Sequence, residues 1–490
     1  MQTPSTHPRL LISAVRKSSG KTMFSVGLGA ALRQRVDTLR MYKKGPDYID
    51  PMWHTLASGY PCHNLDTWLM GEAACLAALH AHSPPGALSL IEGNMGLHDG
   101  MELDGRHSSA HLATLLSAPV LLVLDASGMN RNIAAVVHGM MHFDPRVRVG
   151  GVVLNNVRGP RQEQKQREAI TQLCGVPVLG ALPRLDAPPV LERHLGLLTT
   201  EESAEAADVV AQMAALVKAH VDLDAVLTLA ASAGALPTIP AGALPTIPAG
   251  ALPEAPAGEA AEEDDAGGEP ATAPRVRIAV ARDAAFCFLY PDNLAALEAA
   301  GADLVYFSPM EDTVLPPADG LYLPGGFPES FLPELEANAA LRQDIAARIT
   351  GGLPTHAECG GMMYLARTIS REGATHRMVG VIPGDVVFQR RPVGYGYVTL
   401  APQDGEGWFS TPGDVRAHEF HYSRLENLPA GLRYRFRVTR GEGMGEQAGA
   451  SGTPTRHDGL LLHNMLATYA HMHAAGVPRW ALDFVRACRG

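Results

Sequence analysis

No run of apolar residues approaches the roughly 18 that a bilayer span requires. The first eight residues, Met1-Gln-Thr-Pro-Ser-Thr-His-Pro8, contain no basic stretch leading into an apolar core. A soluble, non-exported protein is therefore expected. Cysteine is scarce: Cys62, Cys75, Cys174, Cys287, Cys359 and Cys488 are scattered through 490 residues, with no C-x-x-C pair and no metal-ligand spacing. That argues against a disulfide framework and places the chain in a reducing cytoplasm. Positive charge is also short, 40 Lys and Arg against 51 Asp and Glu. Nucleic acid and anionic membranes are thus not expected as partners. Even the acidic excess is local, because Glu254, Glu259, Glu262, Glu263, Asp264, Asp265 and Glu269 share one stretch that has neither Lys nor Arg.

What the chain does have is length and apolar content. At 490 residues and 46% hydrophobic it exceeds one ordinary core, and two or three domains are expected. Residues 10–15 read as a buried strand, 16–20 as a loop, and 21–35 as a helix with apolar residues at helical spacing. Strand, a loop ending Gly20-Lys21-Thr22, then helix is the context in which backbone N–H groups cradle phosphates, a lysine bridges the terminal ones and a hydroxyl joins Mg2+. The loop lacks the usual glycines, with Ser18 and Ser19 near their places. Taken alone, an ordinary helix start capped by serines is the competing interpretation. A strand over 37–42 leads into Lys43-Lys-Gly-Pro-Asp-Tyr-Ile-Asp-Pro51, which carries Lys44, Asp47 and Asp50 beside His54. A strand over 88–92 ends in Glu92, and an acid at the carboxyl tip of a strand beside a phosphate loop suits a Mg2+ or water-positioning role. Asp99 fits function or a turn cap with Gly100 equally well. Further strands at 119–125, 148–155 and 176–182, with helices between, argue a parallel doubly wound sheet. Asn155 at one strand end could read an adenine edge.

Residues 225–274 change character. Ala-Gly-Ala-Leu-Pro-Thr-Ile-Pro occurs in tandem from Ala233 and Ala241, with a degraded copy at Ala249. An eight-residue period rich in Pro, Ala and acids cannot build a core and reads as a semi-extended linker. Domains are accordingly expected at 1–224 and 275–490.

The second half restarts with strand, helix and strand, and turns strand-rich between 380 and 436. Within it, Pro354-Thr-His-Ala-Glu-Cys-Gly-Gly-Met-Met-Tyr-Leu365 sets Cys359 between a short apolar approach and a helix-like run over 361–367. A strand-to-helix turn exposes a nucleophile, and the helix start favours its thiolate. A buried core cysteine is the bland alternative. Leu321-Tyr-Leu-Pro-Gly-Gly-Phe-Pro-Glu-Ser330 ends a strand in a loop able to aim an N–H at an oxyanion, one such donor being worth roughly 2.7–4 kcal/mol. Near the C-terminus stand His463, His471 and His473, with His471 following an apolar, tyrosine-bearing run.

Pro-Gly-Gly, then Ala-Glu-Cys-Gly-Gly, then Tyr-x-His resembles the class I, or triad, glutamine amidotransferases. The resemblance implies Cys359 as nucleophile, His471 as base, and Gly326 with Gly360 as oxyanion donors. It departs at His473, where these proteins usually carry Glu, as in the cobyric and cobyrinic acid synthase branch. A less well oriented base and slow glutaminase activity in isolation are expected. In the first half, Gly-Lys-Thr, Lys-Gly-Pro-Asp-Tyr-Ile-Asp-Pro, Asn-Leu-Asp-x-Trp, Glu-Gly-x-Met-Gly-Leu-x-Asp-Gly and Glu192-Arg-His-Leu-Gly-Leu197 occur in order. Together they resemble the cobyrinic acid a,c-diamide synthase family, whose N-terminal half is a dethiobiotin-synthetase-like P-loop domain. The resemblance implies ATP at Ser19, Gly20, Lys21, Thr22 and Asn155, and Mg2+ at Thr22, Asp47, Asp50 and Glu92. It implies substrate contacts at Lys44, Asp99, Arg193, His194 and His421. His418 and His421 could also simply satisfy core hydrogen bonds, which is preferred for His418.

The expected fold is therefore two doubly wound α/β domains. The expected activity is ATP- and glutamine-dependent amidation of the a and c carboxylates of a corrin-type tetrapyrrole, with a homodimer as the assembly. Cobyric acid synthase and a nickel-tetrapyrrole a,c-diamide synthase are the enzymatic alternatives. A P-loop switch with a degenerate docking domain is the non-enzymatic one, separable because it would show no glutamine-dependent ATP hydrolysis. Deleting one eight-residue copy from the linker should leave coupled activity nearly unchanged in a steady-state assay, since loop-closure entropy varies only slowly with length.

Overall fold

The computed structural model describes residues 7–185, 192–193, 196–239, 274–403, 407–448 and 454–490. The chain divides into two compact units, 1–244 and 245–490. The first contains β1 (Arg9–Ala14), α1 (Lys21–Leu32), β2 (Leu39–Lys44), α2 (Ile49–Ser58), β3 (His63–Leu65), α3 (Glu72–His82) and β4 (Leu88–Glu92). It continues with α4 (Ser109–Leu115), β5 (Val120–Asp125), α5 (Asn132–His142), β6 (Val149–Val157), α6 (Pro160–Cys174) and β7 (Val178–Pro183). The short strands β8 (Glu192–Arg193) and β9 (Gly196–Leu197) precede α7 (Ala206–His220) and α8 (Leu223–Ala231). Seven strands form one sheet in the order β3-β2-β4-β1-β5-β6-β7, all pairs parallel. Every residue of β1 and of β4 is buried, as strands covered on both faces must be. Register then sets the site: Ile12 of β1 and Lys43 of β2 both lie opposite Glu92 of β4.

The second unit opens with β10 (Val276–Ala281), α9 (Pro291–Ala299), β11 (Ala302–Phe307), β12 (Gly320–Leu323), α10 (Leu332–Ala337), α11 (Ala339–Thr350), β13 (Thr355–Glu358) and α12 (Gly360–Leu365). Strands follow: β14 (Ala366–Arg371), β15 (Ala374–Arg377), β16 (Ile382–Phe388), β17 (Gly394–Pro402), β18 (Val415–His421), β19 (Ser423–Glu426) and β20 (Arg433–Arg440). The unit closes with β21 (Gly445–Ala448), β22 (Pro454–Leu462), β23 (Met465–Thr468) and α13 (Trp480–Arg489). Strands β11-β10-β12-β13-β23 are parallel, and β22, β20, β17 and β18 extend the same sheet antiparallel. Alternation along β10 shows both faces covered. Ala279 and Ala281 join the core with Ile345 and Ile349 of α11, while Ile278 and Val280 pack with Leu297 of α9 and Phe484 of α13. The unit is doubly wound about its parallel half, and a smaller sheet, β15-β14-β16-β19, stands apart.

Several boundaries differ from the sequence expectation. Strand β2 runs to Lys44, so Lys43 and Lys44 finish a strand instead of opening a loop. The helix after Cys359 ends at Leu365, and the chain turns directly into β14. The linker, expected from 225, starts later. Asp222 caps α8 by accepting the Ala225 N–H at 3.0 Å, and Leu223, Val226, Leu229 and Ala230 are buried. The first tandem copy is also engaged at its start, Gly234 N–H donating to Ser117 O at 3.1 Å. Most of the linker, 240–273, lies outside the described residues.

Arg9 fastens this last segment to the sheet. Fully buried at the start of β1, its guanidinium donates to Leu116 O at 2.5 Å, His7 O at 2.8 Å and Gly234 O at 2.7 Å. Arg9→Leu should lower the stability of the first unit by about 3 kcal/mol by orphaning buried carbonyls, read as an earlier transition of that unit in a denaturant titration.

Candidate active site

At the carboxyl edge of the first sheet, the loop after β1 folds without the usual glycines because Ser18 itself takes the left-handed conformation, φ 56°. Gly20 follows with φ 86°, and any side chain there would strike Asn155, whose Nδ2 lies 2.2 Å from the Cβ position. The serines do not cap α1: the helix has no side-chain cap, and Ser19 Oγ donates back to Arg16 O at 3.0 Å. Lys21 Nζ, 2.6 Å from Met95 O, sits on a backbone carbonyl. Burial lowers the Lys21 ammonium, with Glu92 opposing.

Six side chains meet just beyond. Thr22 Oγ1 lies 2.9 Å from Glu92 Oε1 and 3.2 Å from Asp50 Oδ2. Lys43 Nζ donates to Asp50 and, at 2.9 Å, to Glu92, with Asp47 3.9 Å away. His54 Nε2 is 2.6 Å from Glu92 Oε2. Burial alone would raise the Glu92 carboxyl, but Lys43 and His54 outweigh it and hold it below the carboxylate range. Burial would likewise lower the Lys43 ammonium, yet Asp50, Glu92 and Asp47 raise it. Asp47, crowded by burial and by Asp50, is pushed up to about 6; its Oδ1 accepts the N–H groups of Ile49 and Asp50. Thr22, Asp50 and Glu92 offer oxygens of the kind a hard cation such as Mg2+ takes, with the Lys43 ammonium standing among them.

The remaining expected residues fall around this centre unevenly. Asn155 Nδ2 donates to Ser19 O at 3.1 Å and so braces the loop. Asp99 accepts the Gly96 N–H at 2.9 Å, a turn cap, though with Gly96 and not Gly100. Lys44 is buried beside Asp66, and burial lowers its ammonium. The side chain of Arg193 and all of His194 lie outside the described residues. Lys43 is the residue that sequence reasoning missed: its strand pairing with Glu92 joins segments far apart in the chain, and the Lys-Lys doublet reads in sequence as the opening of a loop.

The second unit carries a separate site. Cys359 joins β13 to α12 at φ 42°, ψ −103°, a strained elbow. Its N–H donates to Thr468 O at 2.7 Å, which ties the elbow to the strand leading to His471. A Cβ at Gly360 would lie 2.9 Å from Gly326 N, so the two expected oxyanion residues abut. The same loop backs onto the expected base, since a Cβ at Gly325 would come within 2.4 Å of His471 Cε1. Burial pushes the Cys359 thiol up and lowers His471 to about 4, with Glu358 opposing. The resting pair is thus thiol and neutral imidazole. Glu358 Oε2 lies 4.0 Å from His471 Nδ1. His421, expected at the substrate, is 4% exposed and stacks on Tyr469 with ring centroids 3.8 Å apart. His418 exchanges backbone bonds in both directions with His471, 3.1 and 2.7 Å.

One chain thus carries a phosphate-loop site and a cysteine elbow with an oxyanion loop, the two halves of a glutamine-dependent amidotransferase. Residues 12–194 match the family described as the CobQ/CobB/MinD/ParA nucleotide binding domain, and 277–478 the CobB/CobQ-like glutamine amidotransferase domain. The chain is 43% identical to the cobyrinate a,c-diamide synthase of Magnetococcus marinus over 97% of its own length and 96% of the relative's. Identity to the cobyrinate a,c-diamide synthase of Dehalococcoides mccartyi is 38% over 99% and 98% of the two chains. To the hydrogenobyrinate a,c-diamide synthase of Streptomyces coelicolor it is 39% over 98% of each. The chain belongs to the cobyrinate a,c-diamide synthase family.

A side chain at Gly326 would stand 2.1 Å from Ala285 O, forcing the oxyanion loop aside. Gly326→Ala should cut glutamine hydrolysis about 100-fold, the cost of one such donor, while nucleotide affinity in the first unit, read by equilibrium binding, stays unchanged.

Proposed function

We propose that the protein is an ATP- and glutamine-dependent ligase that converts the a and c side-chain carboxylates of a corrin-type tetrapyrrole, cobyrinate or hydrogenobyrinate, into amides. The observation that carries this is the presence, in one chain, of a site able to hold a triphosphate and a site able to release ammonia. Neither alone suffices. A carboxylate is a poor electrophile whose oxide leaves badly, so it must be activated before nitrogen can displace oxygen.

Activation belongs to the first unit. A substrate carboxylate oxygen attacks the γ-phosphorus of ATP, the bond to the bridging oxygen breaks, ADP departs and an acyl phosphate remains. Lys21 leaves its carbonyl partners to meet the terminal phosphates, and the loop from Ser19 to Thr22 wraps them. Thr22, Asp50, Glu92 and Asp47 are the residues that would hold Mg2+, which when bound offsets the negative charge of the phosphates. Lys43 supplies a further buried positive charge beside them.

Nitrogen comes from the second unit. Cys359 passes its proton to His471 as sulfur attacks the glutamine amide carbon, and the N–H groups of Gly326 and Gly360 hold the oxyanion. The imidazolium returns the proton to the departing ammonia, leaving a thioester that water hydrolyses to glutamate. Ammonia then adds to the acyl phosphate and phosphate leaves. Two rounds give the diamide.

With ATP, Mg2+, glutamine and the tetrapyrrole, mass spectrometry should show two successive losses of about one mass unit, OH becoming NH2 at each substitution. Cys359→Ala should abolish the glutamine-dependent product and spare the product formed from ammonium salts. Lys21→Ala should abolish both. Ammonia-supported product that survives Lys21→Ala would remove the phosphoryl-transfer role from this loop.

A further inference from the structure

Two residues beyond His471, where a triad acid would be expected, this chain has His473, and His473 is engaged elsewhere. Its Nε2 lies 3.7 Å from Asp292 Oδ2, its Nδ1 accepts the Ala475 N–H at 3.2 Å, and its ring packs 4.8 Å from that of Tyr290. The imidazole of His471 nevertheless faces a carboxylate. Glu358, the last residue of β13 and the one immediately before the nucleophile, places Oε2 4.0 Å from His471 Nδ1. We propose that Glu358 is the positioning residue for His471, delivering from β13 the acid that the usual third place lacks. The proposal rests on the amidotransferase roles given above to Cys359 and His471.

Three features support it. First, the topology delivers both groups to one edge: β13 and β23 pair in parallel with Glu358 opposite Thr468, three residues before His471. Second, the carboxylate is held in place. Oε1 accepts the Met472 N–H at 3.1 Å and lies 3.1 Å from His356 Nε2, and Oε2 accepts the Tyr322 hydroxyl at 3.2 Å. One side chain thus fixes both the backbone beside the base and the space before Nδ1. Third, it is an anion. Burial would raise the Glu358 carboxyl, but His356, His471 and the Met472 N–H outweigh that and keep it below the usual range.

The other groups facing His471 do not offer this charge. His418 of β18 stands with its ring 6.3 Å away, and His421 of β18 and His356 of β13 act to lower its proton affinity. Phe288, with ring centroids 6.2 Å apart, is apolar. A separation of 4.0 Å is too long for a hydrogen bond in the neutral resting pair. When His471 takes the thiol proton, a small movement closes it to the roughly 2.7–2.9 Å of a charge-assisted bond. Nδ1–H directed at Glu358 leaves Nε2 as the nitrogen that accepts the proton.

Glu358→Gln and Tyr322→Phe test this in the full-length protein, the second removing a partner of the same carboxylate without touching His471. For Glu358→Gln the expected result is a fall of about 100-fold or more in kcat for glutamine hydrolysis with KM little changed. Its acid limb should also move to lower pH, because Glu358 raises the proton affinity of His471. Ammonia-supported amidation should be unaffected, and Tyr322→Phe should retain most of the glutaminase activity. An unmoved acid limb, a parallel loss of ammonia-supported product, or an equal loss in Tyr322→Phe would each mean that Glu358 serves packing and would overturn the proposal. A wild-type protein that hydrolyses no glutamine would overturn the underlying amidotransferase roles and the proposal with them.

Discussion

A carboxylate taken out of water at the carboxyl end of a central parallel strand is the constraint on which both halves of this protein depend. Glu92 ends β4 and Glu358 ends β13, and each is 1% exposed. Desolvating such an anion costs several kcal/mol unless partners replace the lost water. A neighbouring strand supplies a partner in both cases, Lys43 of β2 for Glu92 and Tyr322 of β12 for Glu358, and His356 of β13 itself adds a second for Glu358. Parallel pairing makes this possible because it brings the ends of several strands to one edge, where loops can leave the pairing pattern. The carboxylates anchor those edges, and the reactive loops are built on them.

The loops themselves depend on local strain. Ser18 and Cys359 both take positive φ, 56° and 42°, which costs a non-glycine residue on the order of 1–2 kcal/mol. At Ser18 the strain lets a glycine-poor loop follow the course that glycines usually allow. At Cys359 it turns the chain sharply from β13 into α12. Each strained residue is fixed by its neighbours, the first loop by Asn155 on Ser19 O and the elbow by Cys359 N–H on Thr468 O.

Much of this was legible in the sequence where the signal is local. Strand-loop-helix around Gly20-Lys21-Thr22, an acid ending the strand at Glu92 and a cysteine between strand and helix are contiguous patterns, and the α/β class followed from them. Partnerships made by register were not legible. Lys43 reads as one of two adjacent lysines, and nothing nearby in the chain says which will lie opposite Glu92. Nor does the chain near His471 point to Glu358, which β13 brings to within 4.0 Å of its Nδ1 from more than a hundred residues earlier. Composition also misplaced the start of the linker. The Ala-rich text after 224 resembles the tether it leads into, and only the burial of Leu223, Val226, Leu229 and Ala230, with the grip of Arg9 on Gly234, reveals a folded helix and anchor.

The resting chemistry of the cysteine site follows from the same burial. With the thiol pushed up and His471 lowered to about 4, the pair sits as neutral thiol and neutral imidazole. Forming thiolate and imidazolium inside the protein creates two buried charges, and that step is unfavourable until something compensates both. In the proposed reaction glutamine compensates one, because its carbonyl carbon takes the sulfur electrons and its oxygen passes the charge to the Gly326 and Gly360 N–H groups. Glu358 compensates the other by drawing Nδ1–H as the ring becomes charged. In that reading glutamine itself makes the proton transfer favourable.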